Sequence, residues 1–234
     1  MTPFSPEKLV IFDYSGTLSL EAPRFARPVN LLSALAESGL AKLGVATPEA
    51  FWGEIVGPTW TEGSTTAIGY KRVMAQRIEA LGLAPGATQE EIAAAASCFV
   101  DRYLDHSRID PHWRPMLETL AGNPGACVVI ATDHYAEATE TIIHNLHSWN
   151  IPAGNGRRPP FGQRDEKGGT APDSSVKNRE LSPLFIANSA DIGFWKADRR
   201  FWEIVKLQLA ITAIRSVLII DDFGFNEEQG DSYG

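Results

Sequence analysis

The stretch Leu9 to Leu18, LVIFDYSGTL, restricts the fold more than any other part of the chain. Leu9, Val10, Ile11 and Phe12 are apolar on both faces of an extended segment. That suits a parallel strand covered on both sides by helices better than a half-wet antiparallel one. Asp13, Ser15 and Thr17 follow at once. In parallel sheets ligands gather beyond the carboxyl ends of the strands, so Asp13 stands where chemistry is usually done. Asp, Ser and Thr after a strand also begin turns and cap helices, and this stretch alone leaves both uses open.

Later segments supply companions for that strand. CVVIAT, 127–132, is a second buried run ending in Thr132, and an amphipathic helix is predicted from Tyr135 to Trp149. Leu184 to Ala187 reads as a third strand and Asp198 to Ala210 as a helix. Val217 to Ile220 reads as a fourth strand, ending in Asp221 and Asp222. Strands alternating with helices predict a parallel α/β sheet with right-handed crossovers. Pro152 to Ser182, rich in Gly, Pro and charge, reads as a long loop.

Between the first two strands the pattern is helical throughout. Leu31, Leu32, Leu35, Leu40 and Leu43 predict one helix from Pro28 to Gly44. Thr47-Pro48-Glu49 opens a short helix that Gly57-Pro58 is expected to close. A third helix is predicted from about Ser64 to Leu81, and Thr88 to Glu91 has the spacing of a capping box at the head of a fourth. The expected organisation is a Rossmann-like α/β core over 1–20 and 116–234 with an all-α helical bundle inserted over 21–115.

Composition removes several function classes. A net charge of −8 and a pI near 5.2 argue against a broad nucleic-acid or anionic-membrane surface, which needs clustered Lys and Arg. The N-terminus lacks a basic region followed by an apolar run, and no segment approaches the 18 or so apolar residues of a membrane span. A cytoplasmic location is the expectation. Cys98 and Cys127 fall in a helical and a buried-strand pattern, where small core residues are the ordinary use.

The three strand ends carry complementary groups: Asp13 and Thr17, then Thr132, then Asp221 and Asp222, with Lys196 opening the helix between the last two strands. Two carboxylate clusters at one sheet edge repel each other, so a hard cation such as Mg²⁺, which prefers oxygen ligands, is the reason to bring them together. Lys196 adds positive charge against a phosphate. Without the metal, an attacking carboxylate and a phosphate about 4 Å apart repel by ~4 kcal/mol per charge pair at intermediate dielectric. Asp133 and His134 follow Thr132 and either line the pocket or form a first-turn acid and a surface histidine. Lys177 lies in the predicted loop and is the weaker lysine. His106, His112, His144 and His147 show no metal-ligand arrangement.

Taken in order, these residues resemble the haloacid dehalogenase superfamily, the Asp-nucleophile phosphatases and their relatives. The first motif of that family, Asp-x-Asp-x-Thr after a buried strand, is matched by Asp13-Tyr14-Ser15-Gly16-Thr17 with one departure. Thr132 matches the second. The third, Gly-x-x-Lys-Pro-Asp, appears as Gly193 to Asp198 with Ala197 in place of proline. The fourth appears as Asp221-Asp222 followed by Gly224, Asn226, Glu227 and Gly230. The resemblance implies a helical cap over 21–115. It implies Asp13 as a nucleophile that forms a covalent aspartyl intermediate, and Mg²⁺ held by Asp13, the Ser15 carbonyl and Asp222, with Asp221 behind these ligands or bound through water. Thr17, Thr132, Lys196 and Asn226 would meet a small phosphorylated substrate. Arg24, Arg27, Trp52, Trp60 and Lys71 also stand where a substrate could be met, though each suits an ordinary surface or core position as well.

Ser15 is the departure. Family phosphatases carry an acid there, which protonates the leaving oxygen and later activates water. A serine hydroxyl titrates far too high for that work, and losing such a group typically costs roughly 10² to 10⁴ in rate. A Mg²⁺-dependent phosphohydrolase is the expected activity. The alternatives are a haloacid-type dehalogenase and a catalytically impaired relative that binds a ligand.

Overall fold

The computed structural model describes residues 6–156, 184–210 and 214–223. Five strands make a single parallel sheet: β1 (Lys8–Asp13), β2 (Ala126–Thr132), β3 (Ala153–Gly154), β4 (Leu184–Asn188) and β5 (Ser216–Ile220). Their order across the sheet is β3-β4-β2-β1-β5. The four apolar runs read from the sequence are four of these strands. β3 is an addition, formed by two residues of the predicted loop; residues 157–183 of that loop lie outside the described part.

Strand periodicity sorts the apolar residues into two layers. Val10, Phe12, Val128, Ile130, Leu184 and Ile186 face one way and pack with Leu117, Ile142 and Leu146. Ile11, Cys127, Val129, Ala131, Phe185 and Ala187 face the other way and pack with Phe201 and Val205. Alternate residues of each strand thus enter opposite layers, and both layers are covered by helices, as continuous apolar runs require.

The helices between β1 and β2 gather a third cluster of their own, from Phe25 to Val100, joined from outside by Tyr135. The principal ones are α1 (Pro28–Ser38), α2 (Gly57–Thr65), α3 (Tyr70–Leu81) and α4 (Gln89–His106). Three sequence expectations change here. The first helix ends at Ser38, because Gly39 turns left-handed at φ 92° and the chain tightens into a 3₁₀ turn over Leu40–Leu43. Gly57-Pro58 does not stop the second helix: Phe51–Val56 widens into a π-helical turn and the chain runs on through α2. The carbonyl that Pro58 leaves without a helical donor, that of Glu54, accepts instead from Arg77 Nε at 2.7 Å. The third helix begins at Tyr70 rather than near Ser64, after Gly69 at φ 84°. The capping box stands as expected, with Glu91 N on Thr88 Oγ1 at 3.2 Å and Thr88 N on Glu91 Oε2 at 2.8 Å.

Three further helices, α5 (Arg114–Ala121), α6 (Glu137–Ser148) and α7 (Arg199–Gln208), flank the sheet. α6 and α7 lie within the spans predicted for them, while α5 falls in the generally helical stretch before β2 without a span of its own.

Candidate active site

The parallel register brings the carboxyl ends of β1, β2 and β4 level, with Asp13 opposite Ala131 and Thr132 opposite Asn188. Asp13 ends β1 and is buried, while Asp221 and Asp222 follow β5 in half-buried positions. One carboxylate oxygen from each of the three lies within 4.8 Å of the others. Mg²⁺ takes hard oxygen ligands, and the three carboxylates supply such donors from one small region.

Lys196 reaches the same point from the other side. Gly193, left-handed at φ 89°, ends a short helix and throws the following residues back over the sheet edge. The loop is then pinned at both ends of Lys196. Its N–H donates to Asp133 Oδ1 at 2.8 Å, and its carbonyl accepts from Trp202 Nε1 at 2.8 Å. The ammonium so placed donates to Asp13 Oδ1 at 2.5 Å. Asp133 is therefore placed as the clamp of the lysine loop rather than as a simple first-turn acid.

The electrostatics follow from burial and neighbours. Burial lifts the Asp13 carboxyl above the ordinary carboxylate range, opposed by Lys196 and reinforced by Asp221. For Lys196 burial acts downward, but Asp13, with Asp133 and Asp221 behind it, outweighs burial and holds the ammonium above its usual value. Burial also raises Asp133, against the pull of the Lys196 N–H and charge.

A cavity of about 750 Å³ opens over this charged floor. Asp13, Ser15, Thr132, Asp133, Lys196, Asp221 and Asp222 line its base. Its upper wall is aromatic and comes mainly from the inserted helices, with Phe25, Trp52, Trp60, Tyr70 and Tyr103 joined by His134 and Tyr135 from the end of β2. Arg27, Trp52 and Trp60 thus do meet the cavity. Arg24 instead pairs with Glu21, and Lys71 with Asp101. Thr17 is buried and is not among the lining residues; its carbonyl accepts from Trp113 Nε1 at 3.0 Å, and among the described residues its hydroxyl has no hydrogen-bond partner. Asn226 lies outside the described residues. Trp52 and Trp60 are the two rings of the wall that the sequence offers as substrate-facing; Phe25, Tyr70, Tyr103 and Tyr135 are additions, because their helical spacing suits a core equally well.

His134 is buried beneath that wall and is not the surface residue weighed from the sequence. Its Nδ1 accepts from the Tyr135 N–H at 2.9 Å, so Nε2 carries the proton and donates to Tyr103 Oη at 2.7 Å. Burial lowers its pKa to about 4, which keeps the ring neutral near pH 7.

No family model matches the sequence, and no curated protein matches it. Solved structures do match. A 2-haloacid dehalogenase from Pseudomonas syringae pv. Tomato aligns over 90% of this chain and 76% of its own, at 20% identity and a TM-score of 0.52. Two structures of L-2-haloacid dehalogenase from Xanthobacter autotrophicus, one with chloropropionic acid covalently bound, align over 90% of this chain and 68% of theirs. Both are at 13% identity, with TM-scores of 0.44 and 0.45. The order of the sheet, the position of Asp13 at its edge and the first of these alignments agree: the chain has the fold of the haloacid dehalogenase superfamily.

Proposed function

We propose that this chain is a Mg²⁺-dependent phosphohydrolase that works through a covalent phosphoryl intermediate on Asp13, with the helices over 21–115 acting as its cap. The observation that carries this reading is the convergence of Asp13, Asp221 and Asp222 within 4.8 Å, with Lys196 on Asp13. A carboxylate that only displaced a halide would have no need of two further acids beside it, whereas a divalent cation and a phosphate dianion balance that cluster.

In this reading Asp13, Asp221 and Asp222 hold the ion, which supplies charge neutralisation for an incoming phosphate. Lys196 opposes the upward pull of burial on the Asp13 carboxyl and orients it through the hydrogen bond on Oδ1. Thr132, buried at the end of β2, offers a hydroxyl to the transferred group. Splitting one displacement into two is the gain from a covalent nucleophile, and fixed positive charge at the site stabilises the transition state.

A haloacid-type dehalogenase is the second reading. It is favoured by Ser15, since a halide leaves without a proton, and by the fold shared with the Pseudomonas syringae enzyme. The two separate on one assay. Aryl phosphate hydrolysis that needs Mg²⁺, and that falls by about 10⁴-fold or more in Asp13→Asn, together with acid-stable phosphate trapped on the Asp13 peptide by mass spectrometry, supports the phosphohydrolase. Metal-independent halide release from 2-chloropropionate with no phosphoryl capture overturns it.

A further inference from the structure

Two features of the cavity bear on what leaves when phosphorus is attacked. The first is proton supply. Ser15 is exposed on the cavity in the place where an acid would serve the leaving oxygen. The other lining groups near the floor are committed elsewhere: Asp133 accepts the Lys196 N–H, the Lys196 ammonium donates to Asp13, and the His134 proton goes to Tyr103. Burial pushes the Tyr103 hydroxyl up to about 12, which makes it a poor acid near neutral pH. Glu49 is the remaining carboxyl of the lining, and it stands among the inserted helices rather than at the strand ends.

The second feature is the shape and chemistry of the space. A phosphate group occupies little of about 750 Å³, a volume in the range of pockets that enclose a whole small organic molecule. The remainder is walled by interlocked rings. Phe25 meets Tyr103 edge-on at 5.4 Å, Tyr70 stacks on Tyr135 at 3.7 Å, and Trp60 meets the outer side of that stack at 5.3 Å. Such a wall offers π-faces and edges to a flat apolar body.

We propose that the substrate is an aryl phosphate monoester, its ring held by Phe25, Trp52, Trp60, Tyr70 and Tyr103 and its leaving group a phenoxide that needs no proton from the protein. This rests on the phosphohydrolase reading above. An Asp13 carboxylate oxygen bonds to phosphorus, the P–O bond to the ring breaks, and the electron pair leaves on the phenolic oxygen, delocalised into the ring. Water then attacks phosphorus, the bond to Asp13 breaks and the carboxylate is regenerated. The proton that water gives up and the proton that phenoxide takes are both exchanged with bulk solvent, so a monoester and water yield a phenol and inorganic phosphate.

Phenyl, benzyl and propyl phosphate separate the two features, because benzyl keeps the ring but leaves as an alkoxide. With Mg²⁺ present, phenyl phosphate should exceed benzyl phosphate in kcat/KM, which covers the steps up to P–O cleavage, by roughly 10²-fold or more, and Ser15→Asp should narrow that gap by restoring an acid. Benzyl phosphate should in turn have a KM roughly 10-fold below that of propyl phosphate. Calorimetry gives a readout that does not depend on turnover. Asp13→Asn protein should bind phenylphosphonate roughly 10-fold more tightly than methylphosphonate, and adding Trp60→Ala should remove most of that difference. Equal kcat/KM for phenyl and benzyl phosphate, or equal affinity for the two phosphonates, overturns the proposal while leaving the phosphohydrolase standing. Failure of all three esters to phosphorylate Asp13 overturns both.

Discussion

The floor and the wall of this cavity are built on opposite principles. The floor is a set of charged groups at strand ends: Asp13 after β1, Thr132 after β2, Asp221 and Asp222 after β5, and Lys196 from a loop pinned by Asp133 and Trp202. Its geometry is fixed by sheet register and by hydrogen bonds from both sides. The wall is a set of rings projected from several helices, held by ring-on-ring contacts such as Phe25 on Phe99 at 5.7 Å and Tyr70 on Tyr135 at 3.7 Å. A register error in the sheet would scatter the floor altogether, whereas ring packing tolerates exchange of one apolar group for another of similar size. The floor is therefore suited to fixing a reaction, and the wall to choosing what enters.

If that division is right, Lys196→Met should damage the floor alone. The variant leaves a buried Asp13 carboxylate without its counter-charge and removes a fixed positive group from the transferring phosphate. Loss of such a preorganised donor typically costs roughly 10²–10³ in kcat. Circular dichroism and affinity for an aromatic ligand that carries no phosphate, such as benzyl alcohol, should be unchanged. A variant that loses affinity for the neutral ring as strongly as it loses kcat would break the comparison, since wall and floor would then be one unit.

The wall has its own titration, which the floor does not share. The His134 pKa is lowered from 6.5 to about 4 by burial. The neutral ring thus favours the fold above pH 6.5, and that stability is lost as pH falls through the window from 6.5 to 4. The full shift corresponds to about 3 kcal/mol, of which about 2 kcal/mol should be gone by pH 4.5. Asp13 and Asp133, raised by burial, change stability in the opposite sense over the same acid range, because protonation relieves their burial. Urea unfolding of wild type and His134→Gln at pH 7.5 and 4.5 isolates the histidine. The difference between the two proteins should shrink by about 2 kcal/mol at the lower pH. An unchanged difference would mean that His134 does not carry the acid sensitivity.

The same division explains what the sequence discloses. Strand ends are legible one by one, because a parallel strand that is apolar on both faces dictates where its last residue stands; Asp13, Thr132, Asp221 and Asp222 needed only that rule. Lys196 was placed through its spacing from Gly193, whose left-handed turn does bring it back over the edge. Beyond Trp52 and Trp60 the wall was not legible, because Phe25, Tyr70 and Phe99 follow the same 3.6-residue period whether they face a core or a cavity. For His134 the sequence leaves a pocket-lining place and a surface place both open, and the structure gives the first; nothing local tells that Tyr103, 31 positions earlier, supplies its partner. The helix from Pro28 was overextended because Leu40 and Leu43 continue the apolar pattern through Gly39, and only the backbone reveals the left-handed turn there.

Several contacts join the inserted helices to the α/β core, among them Trp195 Nε1 on Ser64 Oγ and His134 on Tyr103, and Glu137 adds one at the ring wall. Glu137, in the first turn of α6, reaches over to the start of α3. Its two carboxylate oxygens accept from Tyr70 N at 2.7 Å and Lys71 N at 3.2 Å. It thereby caps a helix that has no capping side chain of its own, since residue Gly69 occupies that position. The glycine is required there twice over: its φ is 84°, and a Cβ on it would stand 2.8 Å from Glu137 Oε1. Glu137→Ala should cost about 1–2 kcal/mol, in the range of a lost charged cap, read as a lower urea midpoint at unchanged slope. Because Tyr70 is the first residue of α3 and stacks on Tyr135, the same variant should weaken phenylphosphonate binding by a few fold while leaving the Lys196–Asp13 pair in place. Gly69→Ala should do similar damage by pushing the carboxylate away, and the two changes combined should fall well short of additive, since the second removes a contact the first has already broken. Additive losses would mean that Gly69 matters only for its backbone angle, and that Glu137 is not a link through which the ring wall is held over the catalytic edge.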